Sequence, residues 1–364
     1  MKIHELTHLI EEIAPLTYAE DFDNVGLLVG NPSKEISNVL VTLDTLESVV
    51  DEAITKNCNL IISFHPIIFA GLKKITGKNY VERSILKAIK HDIAIYATHT
   101  ALDNSKVGVN AKICEVLNIK NPKILIPKSN SIQKLTTYVP QKDAQKLRTA
   151  LFDAGAGNIG NYDHCSFNTS GIGTFRAQEN ANPTVGKIGV THQEEETCLT
   201  VIYEKHHEKN ILNTLFKTHP YEEVAYEIIT LNNYNQTVGL GMIGTLETEM
   251  DEQLFLNYVK KLMNKNGIRH SKPLNKKVKK VAVLGGSGSF AIENAIAMGA
   301  DAFITSDLKY HEFYRAENKI LLIDVGHYES EQFTKNLIVE YLTKKIANFA
   351  IILSETNTNP IYYL

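Results

Sequence analysis

The sequence predicts an α/β protein with a duplicated α/β core, two related lobes, and an inserted ferredoxin-like α+β domain. Three observations predict it. Short apolar runs alternate with helical patterns at both ends of the chain. The two ends match one another at nearly fixed offsets. The middle has a β-α-β…β-α-β order of its own.

In the first lobe, residues 39–44 form an apolar run that reads as a buried strand. Leu46, Val49, Val50, Ala53 and Ile54 follow at helical spacing. Residues 59–63 are a second strand, ending at Phe64-His65-Pro66. Ile85, Ala88 and Ile89 mark a helix, and residues 93–97 a third strand. Such alternation predicts a largely parallel sheet with helices on its faces.

The C-terminal part repeats the plan. Residues 281–284 are a strand; Gly285, Gly286 and Gly288 are expected to make a turn; Ala291, Ala295 and Ile296 lie on a helix. Residues 302–305 and 321–325 are further strands. A long amphipathic helix is expected from about Glu331, with Leu337, Ile338 and Leu342 on its apolar face. An offset of 242 lays Val39 on Val281, Ala53-Ile54 on Ala295-Ile296 and Ser63 on Thr305. The last strand needs 228, which lays His99 on His327 and Asp103 on Glu331.

The insert opens after Pro127 with a polar run. Its expected strands include residues 135–139, 198–203 and 225–231, and its helices carry Leu147 and Leu151, then Ile211 and Leu215. The expected domains are residues 1–128 (first lobe), 129–232 (insert) and 233–364 (second lobe).

The whole chain constrains partners. Its 364 residues are 43% hydrophobic and 22% charged, enough to bury a full core. A formal net charge of −3 offers no global basic field, so nucleic acid is not expected as a partner. No run approaches the ~20 apolar residues of a membrane span. Cys58, Cys114, Cys165 and Cys198 form no CxxC pair. Free thiols and the lack of a signal-peptide pattern at the N-terminus lead us to expect a cytoplasmic protein.

The polar residues of interest follow predicted strands, where open α/β sheets place ligands. His65 follows the second strand; His99, Thr100 and Asp103 the third; Asp307, Lys309, Tyr310, His311 and Glu312 the strand at 302–305; His327 and Glu331 the strand at 321–325. A histidine and a carboxylate four apart on a helix project to the same side and can reach one ion. Imidazole and carboxylate without thiolate suit zinc, iron or manganese. Gly286 and Gly288 are read either as a tight turn or as exposed amides that hold an anion.

The motifs together resemble a known family, the GTP cyclohydrolase 1 type 2 homologues, or NGG-one-interacting-factor-three family. Asp23-Asn24-Val25-Gly26-Leu27-Leu28-Val29-Gly30 is similar to its N-terminal signature. Ser63-Phe64-His65-Pro66, Ala97-Thr98-His99-Thr100-Ala101-Leu102-Asp103, residues 305–312 and residues 324–331 continue the likeness. The resemblance implies two divalent metal ions, zinc or iron with manganese as a further choice, held by His65, Asp103, His327 and Glu331, with His99 a further contact. It implies a homohexamer built from dimers and trimers, and an insert similar to PII and CutA proteins, carried by residues 171–176 and 219–223. Many members have two histidines before the proline; here the first is Phe64, so the two metal positions are expected to be unequal. Two functions stand open: a metal-dependent hydrolase acting on a nucleotide or heterocycle, with Asp307, Lys309 and His311 as catalytic or substrate-binding groups, or a metal-handling protein without turnover.

Overall fold

The computed structural model describes residues 1–264, 267–346 and 349–362. It divides into two compact units, Met1–Pro127 with Gln236–Leu364, and Lys128–Asn235.

The first unit is a mixed α/β body with two sheets. Its N-terminal elements are α1 (Ile3–Glu11), β1 (Gly26–Val29), β2 (Val39–Thr42), α2 (Glu47–Thr55), β3 (Leu60–Ser63), α3 (Tyr80–Lys90), β4 (Ala94–Ala97), α4 (His99–Asp103), α5 (Val109–Val116) and β5 (Lys120–Lys128). The second unit contributes β6 (Ile132–Pro140), α6 (Ala144–Asp153), β7 (Ser166–Arg176), β8 (Thr191–Glu204), α7 (Glu208–Thr218) and β9 (Tyr226–Leu231). The chain then returns through β10 (Asn235–Asp251), α8 (Glu252–Leu262), β11 (Arg269–His270), β12 (Lys277–Ser287), α9 (Ile292–Ala297), β13 (Ala302–Ser306), β14 (Leu321–Asp324), α10 (His327–Glu331), α11 (Thr334–Lys345) and β15 (Ile351–Leu353).

The two sheets of the first unit share a plan. One runs β1-β4-β3-β2-β15 and the other β11-β14-β13-β12-β10-β5. In each, three consecutive strands pair in parallel and a fourth caps the last of them antiparallel. The registers agree as well: Val39 faces Leu60, and Val281 faces Ala302, both pairs related by 242 residues. The third strand departs by one. Ser63 faces Ala97 and Thr305 faces Asp324, an offset of 227 on the strand against 228 on the following helix. The extra residue falls between Asp324 and His327, where Gly326 takes φ 90°, a conformation that costs glycine little.

Both sheets are buried on two faces, which is why their strands read as continuous apolar runs. Val39, Val41, Leu60 and Ile62 meet Val281, Val283, Ile304 and Ile323 in one shared core with Ile3, Leu6, Val109, Phe255, Ile338 and Leu342. The alternate residues turn outward. Leu40, Ile61 and Ile95 pack with Val50 and Ile85, while Ala282, Phe303 and Leu322 pack with Ile292 and Ala295.

Two expectations need correcting, and one strand pairing is new. Gly285 and Gly286 lie within β12 rather than in a turn, because that strand runs on to Ser287 through a register shift. Glu331 does not open a long helix; it closes the short α10, and α11 starts separately at Thr334. The C-terminal strand β15 joins the first sheet, parallel to β2, although it belongs to the last part of the chain.

The second unit has one antiparallel sheet in the order β7-β8-β6-β9. Leu135, Val139, Leu199 and Val201 pack against Leu147, Leu151, Ile211 and Leu215 of its two helices.

Candidate metal centre

Strand ends bring the polar residues of the first unit together. His65 follows β3, and His327 and Glu331 open and close α10 after β14. His65 Nε2 lies 3.1 Å from Glu331 Oε2, and His327 Nε2 lies 3.2 Å from the same oxygen. The two Nε2 atoms are 3.4 Å apart. Among the described residues, this is where three His, Cys or carboxylate side chains bring their donor atoms mutually close.

The far side of each imidazole is held by a carboxylate. His65 Nδ1 donates to Asp44 Oδ1 (2.8 Å), His327 Nδ1 to Asp307 Oδ2 (2.6 Å) and His99 Nδ1 to Asp23 Oδ1 (2.7 Å). A carboxylate can only accept, so Nδ1 carries the proton and Nε2 of a neutral ring presents a lone pair. Two such lone pairs and a carboxylate oxygen then face one another at short range. They repel unless a cation or protons stand among them. The spacing suits a cation: ligands 2.0–2.1 Å from a tetrahedral ion sit roughly 3.4 Å apart.

Protons do the balancing when no cation is bound. Burial disfavours charge on both rings, yet Asp44 and Glu331 raise His65 to about 10, and Asp307 and Glu331 raise His327 to about 11. Burial would raise Glu331, but the two imidazoles pull it down to about 2. Asp103 moves the other way: burial, then repulsion from Glu331, hold its carboxyl well above the usual range. Its Oδ1 is buried without a hydrogen-bond partner.

The supporting residues come from distant parts of the chain. Thr358 Oγ1 donates to Asp44 Oδ2 (2.6 Å), so the C-terminal segment braces the carboxylate behind His65. Glu52 anchors that segment by accepting from Ser354 Oγ and from the amides of Glu355 and Thr356. Asp324, buried at the end of β14, accepts from the amides of Leu308 (2.9 Å) and Gly326 (3.0 Å), and so sets the backbone beside both Asp307 and His327. Asp307 itself takes φ 57°, left-handed backbone that aspartate tolerates better than most residues. Asn110 ties the two lobes, accepting from the Gly285 amide (3.0 Å) and donating to Asp103 O (3.2 Å).

Other expected residues take different roles. The Gly286 amide donates to Ser330 Oγ (2.9 Å), which takes it out of the anion-holding alternative; only glycine suits the position, because its φ is 69° and a Cβ would come within 2.4 Å of Glu331 Oε1. At Gly288, just beyond β12, a Cβ would meet Thr305 Oγ1 at 2.1 Å, so close approach of the backbone to β13 accounts for it. Asp307 orients His327. Lys309, which caps the 3₁₀ segment Tyr310–Ala316, and His311 within that segment are exposed, and His311 is edge-on to Tyr310. His99 lies beside His65, with ring centroids 5.4 Å apart, outside the converging three. Phe64 is fully buried, its ring against His65 and His99. The supports Asp44 and Thr358 carried no signal in the sequence, because neither sits in a motif and their meeting spans 314 residues.

Comparison with known proteins is consistent over the full length. The family described as Duf34/NIF3 (NGG1p interacting factor 3) matches residues 1–360. The GTP cyclohydrolase 1 type 2 homolog of Bacillus subtilis (strain 168) is 41% identical over 366 aligned positions, covering 99% of this chain and 98% of that protein. The protein of the same name from Halalkalibacterium halodurans is 38% identical, covering 98% of this chain and 97% of that one. A Bacillus cereus protein related to NIF3, of known crystal structure, superposes with a TM-score of 0.86 at 38% identity, over 100% of this chain and 99% of the other. No helix among the described residues is long and apolar enough to cross a membrane.

Proposed function

This chain belongs to the Duf34/NIF3 family, and from that premise we propose that it is a divalent-metal protein, a metal-dependent hydrolase acting on a nucleotide or related heterocycle. One observation carries the reading: His65 Nε2, His327 Nε2 and Glu331 Oε2 converge at 3.1–3.4 Å, the spacing of ligands around a single ion. The donor set suits zinc or iron, with manganese a further choice. Asp103, supported by His99, would complete the site and serve a second, more weakly held ion. Phe64, whose buried ring packs against His65 and His99, offers no donor, which favours unequal occupancy.

Bound there, a divalent ion would supply Lewis acidity and lower the pKa of water toward about 7. The protein's own groups do the rest. Asp44 and Asp307 keep the two Nδ1 atoms protonated, so that both Nε2 lone pairs face the centre. Lys309 and His311 would meet the anionic part of a substrate. The relatives' name, GTP cyclohydrolase 1 type 2 homolog, supports a guanine nucleotide or similar ring as the substrate class.

The same reading extends to a homohexamer of dimers and trimers in the cytoplasm. The β-α-β-β-α-β order and strand order of residues 128–235 support an inserted ferredoxin-like, PII/CutA-like module. The shared strand order and register of the two sheets support a duplication. Phe64 also favours a second function, metal storage or delivery without turnover.

The test is to load the protein with zinc or ferrous iron and incubate it with GTP and related heterocycles, following products by mass spectrometry. Metal-dependent product formation that Glu331→Gln abolishes is expected. No product from any of them, with bound metal exchanging within minutes, would replace the hydrolase with the metal-handling reading.

A further inference from the structure

The sheet of the second unit buries one face only. Leu135 and Val139 of β6 and Leu199 and Val201 of β8 point at its helices. By the two-residue period of a strand, Tyr138, Glu196 and Cys198 point the other way. Tyr138 faces Cys198, and Gly171 faces Glu196, across the sheet. On this open side, the strands and the segments after β7 and before β9 enclose a cavity of about 710 Å³. Small-ligand sites measure roughly 300–1,000 Å³.

Its chemistry is one-sided. Glu196 is only 9% exposed, and its side chain lies over the bare backbone of β7: a Cβ on Gly173 would come within 2.1 Å of Glu196 Oε2. The Tyr221 hydroxyl donates to Oε1 (2.8 Å). No described residue donates to Oε2. The Tyr221 ring packs near that of Phe175, at 6.1 Å between centroids, and Tyr138 adds a third ring to the lining. Of the charged residues lining the cavity, Glu196, Glu222 and Glu223 oppose Arg176 alone, a formal charge of −2.

A buried carboxylate is costly unless it is paired and hydrogen-bonded. Aromatic faces attract cations through the ring quadrupole. A planar guanidinium or an ammonium group satisfies both, whereas an anion meets net repulsion. We infer that the cavity binds a small organic cation, its N–H groups on Glu196 Oε2 and its apolar stem against Tyr138, Phe175 and Tyr221. This inference is independent of the metal centre, which lies in the other unit.

Agmatine is a suitable probe, with urea and inorganic phosphate as neutral and anionic controls. Calorimetric titration of the full chain, with chelator present so that no metal recruits the amine, should show saturable binding of agmatine and none of either control. Glu196→Gln should weaken it about tenfold or more, since a charge-assisted hydrogen bond becomes a neutral one. Phe175→Leu, which keeps the carboxylate, should weaken it severalfold. Absence of saturation at millimolar agmatine, equal binding by Glu196→Gln, or binding of the controls would each overturn the inference. So would a change of sedimentation in Glu196→Gln without any agmatine binding, which would make this face a contact between copies of the chain.

Discussion

The helices α4 and α10 are both five residues long, start with histidine, end with a carboxylate and follow corresponding strands. They nevertheless do different work. His327 and Glu331 both bring donor atoms to the converging site, while His99 and Asp103 stand beside it. Part of the reason is reach: the extra methylene of glutamate extends its carboxylate further from the helix than aspartate can. Part is the lead-in, where the additional Gly326 re-aims α10 relative to β14. The strand ends next door show the same division. At an offset of 242, His65 corresponds to Asp307: the first is a donor, and the second holds the imidazole of another donor. Corresponding backbone positions set where a side chain can go; its length and its partner decide whether it joins the converging cluster or supports it.

The largest test of that difference pairs the two helix ends. Glu331→Gln should lose most of the bound metal by elemental analysis, while Asp103→Asn should keep the first ion. Equal losses from both would erase the distinction. Next come the supports. Asp44→Asn and Asp307→Asn should each lower metal affinity about 10–100-fold, the usual cost of removing the partner that orients a ligating histidine. If Asp23→Asn cost as much, His99 would be a full ligand of the same ion.

A third test needs no metal. Asp103 is an acid whose folded-state pKa is raised, so ionising it costs stability as pH climbs above its unfolded value near 4. Chelator-treated Asp103→Asn should therefore melt higher than wild type at neutral pH, with the gap closing at acid pH. A lower melting temperature at neutral pH would mean that the carboxylate is stabilised by contacts other than those described. The smallest effect is expected at Thr358→Val, which leaves Asp44 in place but unbraced. It should weaken metal binding by a few-fold and shift the His65 ring resonances. An unchanged affinity and spectrum would confine the C-terminal segment to packing.

The same contrast separates what is legible in the sequence from what is not. Strands buried on both faces write themselves as apolar runs, and a histidine or carboxylate just beyond such a run is visible at once; His65, Asp103, His327 and Glu331 are all found this way. The three-residue β15 carries too little pattern, and its partner β2 lies at the other end of the chain. Gly285 and Gly286 read as a turn because glycine's two uses, left-handed backbone and room for a neighbour, look alike in sequence; Gly286 serves both inside a strand, with φ 69°, and the neighbour it makes room for, Glu331, is remote. The break before α11 is equally hidden, since Gln332 and Phe333 are compatible with a continuous helix. Asp44 and Thr358 join the cluster only through contacts that the fold closes.

The claim that His65, His327 and Glu331 hold a divalent ion is tested most directly by anomalous scattering at the zinc and iron edges from crystals grown without added metal. An anomalous peak bonded to His65 Nε2, His327 Nε2 and a Glu331 carboxylate oxygen is the predicted result. No peak there, in crystals of protein reconstituted with either metal as well, would contradict it.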